Sequence, residues 1–345
     1  MRFVRPRCGY PHGMQTQGVA VVTGGSAGIG RAAVRQLAAA GYDVAVLARG
    51  RAGVEAAADE VRAEGRQALA LQVDVADNAA VDEAAERIEN ELGPIEVWVN
   101  SAFVGALDYT WDQTPEKFRR ITEVTYYGQV HGMQAALRYM RPRDRGSIVN
   151  VSSSLAHRGI PLQGAYCGAK HAIKGYTESL RVELAATESK VSVSMVTLPG
   201  VNTPQFDWND DQLQQGHPMP VPPIYQPEVA AKAIVDVAQR PRHDVWVGTP
   251  TVMTVLGARF APAVVDWRLA RTGISSQTTD ADLDRYGSNL FEPRDEEHDA
   301  GARGGFTDQS RGADPVSAIG AVVGRAVGIT AGFGLRTVSA VLDRL

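Results

Sequence analysis

The chain has 345 residues, of which 44% are hydrophobic and 21% are charged, a composition typical of globular proteins that excludes collagen-like and wholly disordered chains. Its 35 lysines and arginines nearly balance 39 aspartates and glutamates, for a formal net charge of −4. A nucleic-acid-binding domain would be strongly basic, so we expect no nucleic-acid partner. The two cysteines, Cys8 and Cys167, match no metal-binding spacing, which favours a reducing, cytoplasmic location and no metal site.

The predicted elements begin after a short N-terminal segment. Residues 1–17 contain three arginines without the apolar stretch of a secretory signal, so we predict a loose tail. From residue 18 to about residue 250, β-branched runs alternate with alanine-rich stretches. The runs indicate strands over residues 19–23, 43–47, 68–73, 97–99, 147–152, 191–198 and 244–247. Apolar residues at three- and four-residue spacing indicate helices over residues 31–40, 54–63, 80–92, 115–140, 165–186 and 227–239.

This alternation predicts an α/β fold with a doubly wound parallel seven-stranded sheet. The strands are apolar almost throughout, which agrees because parallel strands are covered on both faces. The sequence therefore predicts one main domain over residues 18–250.

Composition distinguishes three further regions. Residues 201–225 contain five prolines together with Phe206, Trp208 and Met219. An insertion after a strand lies where open α/β sheets bind ligands, so we predict a substrate loop. Residues 251–279 indicate a helical extension, and the acidic, glycine-containing residues 280–314 indicate a linker.

The final segment, residues 315–345, carries glycines at positions 320, 324, 328 and 332. On a helix they form one stripe, which lets two helices approach closely. We expect a helix that lies on a membrane surface or self-associates, because Arg325, Arg336 and Asp343 fall near one face. The alternatives are a membrane-spanning helix, opposed by the cost of burying Arg325, and a disordered tail.

A glycine-rich junction follows the first predicted strand and opens the first helix. Glycines there permit a tight turn and let backbone amides approach a pyrophosphate at the positive end of the helix. In this α/β context we prefer a dinucleotide site to a purely structural turn. The candidate cofactor residues of this junction are Thr23, Gly24, Ser26, Gly28, Ile29 and Gly30.

The end of the second strand bears on which dinucleotide is bound. NAD enzymes present a carboxylate there to the ribose hydroxyls, but this strand ends Leu47, Ala48, Arg49. A guanidinium suits a 2′-phosphate because it offers several donors and a permanent charge. The sequence therefore favours NADP over NAD, the alternative being that Arg49 is an ordinary surface arginine.

Three residues form a candidate catalytic group. Tyr166 and Lys170 are four residues apart on a predicted helix, so their side chains share a face. An ammonium beside a phenol favours the phenolate and makes the tyrosine a usable acid or base. Ser153, which follows the fifth predicted strand, could donate to the same substrate oxygen.

These motifs resemble those of the short-chain dehydrogenase/reductase family, and the match covers residues 18–250. Besides the residues already named, its parts are Asp74-Val75, Val99-Asn100-Ser101-Ala102, Tyr166-Cys167-Gly168-Ala169-Lys170 and Pro199-Gly200. The resemblance implies a Rossmann fold, a homo-oligomer, and hydride transfer between a nicotinamide and a carbonyl or alcohol carbon.

The resemblance also implies roles for single residues. Tyr166 would be the general acid/base, Lys170 would bind the cofactor ribose, and Ser153 would orient the substrate oxygen. Asp74 would contact the adenine beside Val75, and Asn100 would pack at the cofactor. Thr203, after Pro199 and Gly200, would lie near the nicotinamide amide.

The chain departs from the family pattern at three positions. Phe103 stands where the family commonly has glycine, and we expect it to reshape the pocket floor. Thr125 stands where an asparagine often completes a catalytic tetrad, so we include it among the catalytic candidates with a changed proton relay. Thr203 is one residue closer to Pro199 than usual.

The sequence thus predicts an NADP-dependent oxidoreductase acting on the carbonyl or secondary alcohol of a small, apolar molecule. Phe103, Phe206 and Trp208 are the candidate substrate residues. The alternative is a sensor or scaffold protein that keeps the fold and the cofactor but turns over poorly. Peripheral membrane contact, if present, would run through residues 315–345.

Overall fold

A seven-stranded parallel sheet forms the centre of the molecule. The computed structural model describes residues 16–211, 216–281, 283 and 286–313. The sheet order is β7-β6-β5-β4-β1-β2-β3, with every neighbouring pair parallel. This confirms the doubly wound α/β fold. The strands are β1 (Val19–Thr23), β2 (Asp43–Ala48), β3 (Ala68–Gln72), β4 (Ile95–Asn100), β5 (Ser147–Ser153), β6 (Ser192–Leu198) and β7 (Asp244–Trp246).

Helices cover both faces of the sheet. They are α1 (Gly28–Ala39), α2 (Arg51–Ala63), α3 (Asn78–Glu91), α4 (Pro115–Thr122), α5 (Gly128–Arg143), α6 (Gly164–Ala186), α7 (Pro227–Gln239), α8 (Gly248–Phe260) and α9 (Pro262–Thr272). Buried residues of α1, α2 and α7 form one hydrophobic cluster with the sheet, and those of α3, α5 and α6 form a second. Because the strands are parallel, their carboxyl ends all lie at the same edge of the sheet, whereas the helices pack on its two faces.

The helix predicted over residues 115–140 is divided. A π-helical turn, Glu123–Tyr127, separates α4 from α5. It contains Thr125, one of the catalytic candidates, and such turns occur frequently at functional sites. Thr114 caps α4 by accepting a hydrogen bond from the amide of Lys117, which explains why the helix begins at Pro115.

The acidic segment is not a linker. Residues 286–313, which we call the strap, lie along the carboxyl edge of the sheet. Ser310–Arg311 pairs in parallel with Ile224–Tyr225 of the predicted substrate loop. Leu290 and Phe306 are fully buried. The prediction of a linker was wrong because the acidic side chains of this segment find partners elsewhere in the fold.

A buried arginine holds the strap to the first helix. Arg31 of α1 is 1% exposed and donates to both carboxylate oxygens of Asp299, at 3.0 and 3.2 Å, and to Glu60 of α2 at 2.6 Å. A buried guanidinium requires such partners, because an unpaired buried charge is strongly destabilising. The strap thus supplies one of the two carboxylates that pair with the buried Arg31 of α1.

Two predicted regions fall outside the described residues: most of the N-terminal tail and the glycine-striped segment 315–345. The region predicted as a helical extension, residues 251–279, contains most of α8 and all of α9. Within the part of the chain that the structure describes, no helix combines the length and hydropathy needed to cross a bilayer.

Gly53→Ala tests the docking of the strap on α2. A Cβ at this position would overlap the Asp295 carboxylate and lie 2.8 Å from Cβ of Ser26. We expect the free energy of unfolding to fall by about 1–3 kcal/mol, because something must shift.

The matched control is Gly175→Ala on α6, where a Cβ meets nothing within 4 Å. This change should raise the free energy of unfolding by roughly 0.5–1 kcal/mol, since alanine is the better helix former. Urea unfolding of both variants makes the comparison. Equal stabilisation by the two changes would show that the strap does not occupy this position.

Candidate active site

An open cleft lies at the carboxyl edge of the sheet, next to the neighbouring strands β1 and β4. The strand order reverses between these two strands. The cleft is open to solvent. Its position is where open α/β sheets bind ligands. The candidate residues that line it are Gly24, Ser26, Gly28, Ile29, Gly30, Arg49, Asp74, Val75, Phe103, Thr203 and Trp208.

The glycine loop has the geometry of a phosphate cradle. Gly24 and Gly28 have positive φ angles of 65° and 57°, which favour glycine. A Cβ on Gly30 would overlap the carbonyl oxygen of Gly24, so helix α1 can approach β1 this closely only with glycine there. The residues present fit a dinucleotide pyrophosphate at the N-terminus of α1.

Other cofactor candidates form hydrogen bonds that hold together the strand ends and the loop next to the cleft. The Thr23 hydroxyl donates to the carbonyl of Val99 and accepts from the amide of Ser101, joining the ends of β1 and β4. The buried Asn100 amide donates to Asn150 at 2.9 Å. Pro199 and Gly200 are absent from the lining of the cleft that the described residues form; the Gly200 carbonyl accepts from Tyr225 and so holds the loop that follows.

The three catalytic candidates meet beside the cleft. Ser153, at the end of β5, and Tyr166, on α6, lie close enough for the serine hydroxyl to act on the pKa of the tyrosine. Lys170 lies one turn further along α6, with Nζ 5.6 Å from the Tyr166 ring centre. Its ammonium donates to the carbonyl of Val151 at 2.9 Å. The spacing of these residues in the sequence correctly predicted this grouping.

Burial acts on the charged forms of both titratable groups. It raises the pKa of Tyr166 well above its ordinary value, an effect opposed by the hydrogen bond from Ser153. It lowers the pKa of Lys170 to about 7. Desolvation is the largest effect on the pKa of Tyr166, and the expectation that Lys170 favours the phenolate stays a prediction. Tyr166 is held as a protonated phenol.

Known proteins share the sequence pattern of this chain. The family model for short chain dehydrogenases matches residues 18–213. YxnA of Bacillus subtilis, an uncharacterized oxidoreductase, is 31% identical over 291 residues, which cover 84% of this chain and 82% of that protein. The chain belongs to the short-chain dehydrogenase family. The resemblance found in the sequence is thereby confirmed, and with it the assignment as an oxidoreductase of this type.

Solved structures of short-chain dehydrogenases share its fold. One from Streptomyces avermitilis matches with a TM-score of 0.62 at 27% identity, covering 76% of this chain and 98% of that chain. Another, from Burkholderia phymatum and in complex with NAD, matches with a TM-score of 0.64 at 21% identity, covering 73% and 95%. The central sheet is thus the Rossmann fold of this family.

Phe103 is a distinctive feature of this short-chain dehydrogenase. Its ring packs edge-on against Tyr166, with centroids 5.7 Å apart, and lies 5.7 Å from Nζ of Lys170. Because Phe103 also lines the cleft, it forms the apolar boundary between the cleft and the catalytic group.

Thr125 is engaged away from the catalytic lysine. Its hydroxyl donates to the carbonyl of Val104 at 3.0 Å and accepts from the amide of Val104 at 3.2 Å. Both groups are buried. Thr125 therefore positions the chain segment after β4, next to Phe103, and these contacts do not support the expected proton relay.

The aromatic candidates of the substrate loop have different positions. Trp208 is 8% exposed and lines the cleft. Phe206 instead packs against Phe306 of the strap, with ring centroids 6.3 Å apart, and borders a separate shallow depression. The expectation that Phe206 contacts substrate was not met, because the strap covers its ring. Met219 donates its amide to Gln277.

Sequence reasoning missed the strap as a wall of the cleft. Asn289, Pro293, Arg294 and Asp295 all line it. The amide of Gly28 donates to the carbonyl of Gly301 at 3.1 Å. No local sequence pattern marks these residues. The signal that the sequence offered was the number of acidic side chains in this segment, which could pair with arginines elsewhere in the chain.

Thr125→Val tests the positioning role. It removes the hydroxyl that satisfies both polar groups of Val104, so we expect the free energy of unfolding to fall by about 1–3 kcal/mol. Thr125→Ser, which keeps the hydroxyl, should restore most of that loss in the same urea titration. Unchanged stability in the valine variant would contradict the role.

The pKa of Lys170 predicts a pH dependence of stability. Below pH about 7 the lysine is protonated in both the folded and the unfolded chain. Between that pH and about 10, only the unfolded chain binds the proton, so the free energy of unfolding rises with pH by up to about 1.4 kcal/mol per unit.

Lys170→Met lacks this contribution. The stability of the wild type minus that of the variant should therefore increase from pH 7 to pH 9 in urea titrations. A difference that is flat over this window would show that Lys170 keeps its ordinary pKa in the folded protein.

Proposed function

We propose that this short-chain dehydrogenase transfers a hydride between a nicotinamide dinucleotide and the carbonyl or secondary alcohol carbon of a small, apolar substrate. The observation that carries the proposal is the grouping of Ser153 and Tyr166, with buried Lys170 one helical turn away, beside a glycine-lined cleft. This arrangement supports acid–base chemistry at one substrate oxygen.

The dinucleotide would be held by the glycine loop, next to Thr203; a Cβ on Gly28 would lie 3.2 Å from the Thr203 side chain, so the two residues are close neighbours in the lining of the cleft. Asp74 and Val75 line the adenosine end, and Phe103 lies toward the catalytic end. When bound, the nicotinamide supplies the hydride donor or acceptor.

The protein residues then handle the proton. Tyr166, held as a phenol by burial, donates its proton to the substrate oxygen as that oxygen gains charge, while the Ser153 hydroxyl hydrogen-bonds to the same oxygen. Lys170 supplies positive charge when protonated, and its pKa near 7 makes that charge depend on pH in the neutral range. The arrangement favours carbonyl reduction, the direction that needs an acid.

Two aromatic side chains support an apolar substrate. Phe103 and Trp208 both line the cleft, and Phe103 packs on the catalytic tyrosine. Apolar walls with a few convergent polar groups are typical of small-molecule sites. A homo-oligomer in the cytoplasm, and membrane contact through residues 315–345, remain predictions from the sequence.

The choice between the two dinucleotides is changed by the strap. The sequence favoured NADP because of Arg49, yet its guanidinium donates to the carbonyl of Phe291 at 2.8 Å and also to that of Asn289. These bonds remove the support that Arg49 gave to NADP.

A sensor or scaffold protein is the second candidate. The strap is hydrogen-bonded to Gly28 and Arg49 at the cofactor cleft. In a sensor, nucleotide binding would change these contacts, and catalysis would not be needed. The two candidates differ in what the catalytic tyrosine does.

Tyr166→Phe separates them. With a panel of apolar ketones and reduced nucleotide, we expect turnover to fall about 10²- to 10⁴-fold, because the proton donor is lost. Nucleotide binding, measured by calorimetry, should change less than threefold. The control is Tyr176→Phe on the same helix, which should keep turnover. Full activity in Tyr166→Phe would exclude the proposed mechanism, whereas a wild type that binds nucleotide without turnover would support the sensor.

A further inference from the structure

The strap crosses the end of the cleft that would receive the adenosine. Two arginines hold three consecutive carbonyls of the strap. Arg49 donates to those of Asn289 and Phe291, and Arg120 donates to that of Leu290 at 2.9 Å. Arg120 also pairs with Asp74 at 2.5 Å. Both terminal nitrogens of Arg49 thus donate to the strap.

Charges around Arg49 reduce its attraction for a phosphate further. Burial lowers its pKa, and the charged groups that act on it are Arg120, Asp74, Asp295 and Glu292. Three carboxylates and one guanidinium therefore surround the residue that would have to bind a 2′-phosphate.

The N-terminus of α2 is also used by the strap. The amide of Arg51 donates to the Glu296 carboxylate at 2.9 Å. The amides of Ala52 and Gly53 donate to the carbonyls of Glu296 and Asp295 at 3.2 and 3.0 Å. Free amides at a helix N-terminus form an anion site. Here the first three amides of α2 already have partners, so this helix offers no phosphate site.

Asp295 places a buried carboxylate in the cleft. It is 5% exposed and lines the cleft, and among the described residues its Oδ2 has no hydrogen-bond partner. The carboxylate lies so close to Gly50 and Gly53 that a Cβ on either glycine would overlap it. A buried acceptor without a donor is unfavourable by about 1–3 kcal/mol, so a hydrogen bond from a ligand in the cleft would stabilise this carboxylate.

The position of this carboxylate identifies the ligand group. NAD-binding folds of this type place an acid at the end of the second strand, where it accepts from the ribose hydroxyls. Here Ala48 ends β2, and the carboxylate comes instead from the strap to Gly50 and Gly53, at the start of α2. A free 2′-hydroxyl would give Oδ2 its donor. A 2′-phosphate, with a charge of about −1.5 to −2, would be repelled.

Resting on the proposed function, we propose that Asp295 accepts a hydrogen bond from the adenosine ribose and selects NAD(H) over NADP(H). Asp295 is then a specificity-determining residue supplied by the C-terminal region. The proposal opposes the preference for NADP that Arg49 indicated in the sequence.

Calorimetric titration of the full chain with NAD⁺ and with NADP⁺ tests the proposal. We expect NAD⁺ to bind at least tenfold more tightly. The fragments 5′-AMP and 2′,5′-ADP, which differ only in the 2′-phosphate, should show the same order.

Asp295→Asn removes the negative charge and keeps the size of the side chain. We expect NADP⁺ to bind at least fivefold more tightly than to the wild type, and NAD⁺ to bind more weakly. The matched control is Glu296→Gln, whose side chain caps α2 and does not line the cleft; it should keep the wild-type ratio. Arg49→Ala should weaken both dinucleotides about equally.

The outcomes separate the inference from the proposed function. Tighter binding of NADP⁺ by the wild type, or a selective loss of NADP⁺ binding in Arg49→Ala, would overturn the role of Asp295 and leave the oxidoreductase intact. An unchanged ratio in a folded Asp295→Asn protein would do the same. If that variant does not fold, the order of 5′-AMP and 2′,5′-ADP on the wild type decides. Binding of neither dinucleotide would overturn the proposed function, and the inference with it.

Discussion

Backbone amides at the carboxyl edge of a parallel sheet have no partners within the strands or within the helices that follow. The architecture of this protein depends on how these groups are satisfied. Next to β1 and β4, the Thr23 hydroxyl bridges the two strand ends. Further out, the strap takes the amides at the start of α2 and one amide of the glycine loop. The strap thus provides hydrogen-bond acceptors for amides that only a dinucleotide or water would otherwise satisfy.

Burial of charge is the second constraint. Arg31 is buried with two carboxylate partners, whereas Lys170 is buried with a backbone carbonyl and two aromatic rings. The first arrangement pairs the guanidinium with carboxylates and contributes to structure. The second lowers the pKa of the lysine into the neutral range, which is the condition for a group that takes part in proton chemistry. Both cations are buried, and they differ in whether carboxylates are their partners.

Much of the fold and of the catalytic group could be predicted from the sequence. The strands are short, β-branched and buried, so their positions were clear, and Tyr166 and Lys170 meet because a helix places residues four apart on one face. The strap could not be predicted in this way. Its contacts with Arg49 and Arg31 join residues 242 and 268 positions apart, and an acidic, glycine-containing segment has the same composition whether it is solvated or docked. The contacts of Thr125 with Val104 could not be predicted for a related reason, because Val104 lies on a loop whose path the sequence does not specify.

The docking of the strap has a consequence for the order in which the molecule matures. Residues 18–100 contain the glycine loop, Arg31 and the start of α2, and they leave the ribosome long before residues 286–313 do. During synthesis Arg31 is therefore without Asp299, and the amides at the start of α2 are without their strap partners. The first βα units can form early, but the nucleotide cleft acquires its final wall only when the last part of the chain has been made. A chain released early would carry the family's recognisable motifs and an unfinished binding site.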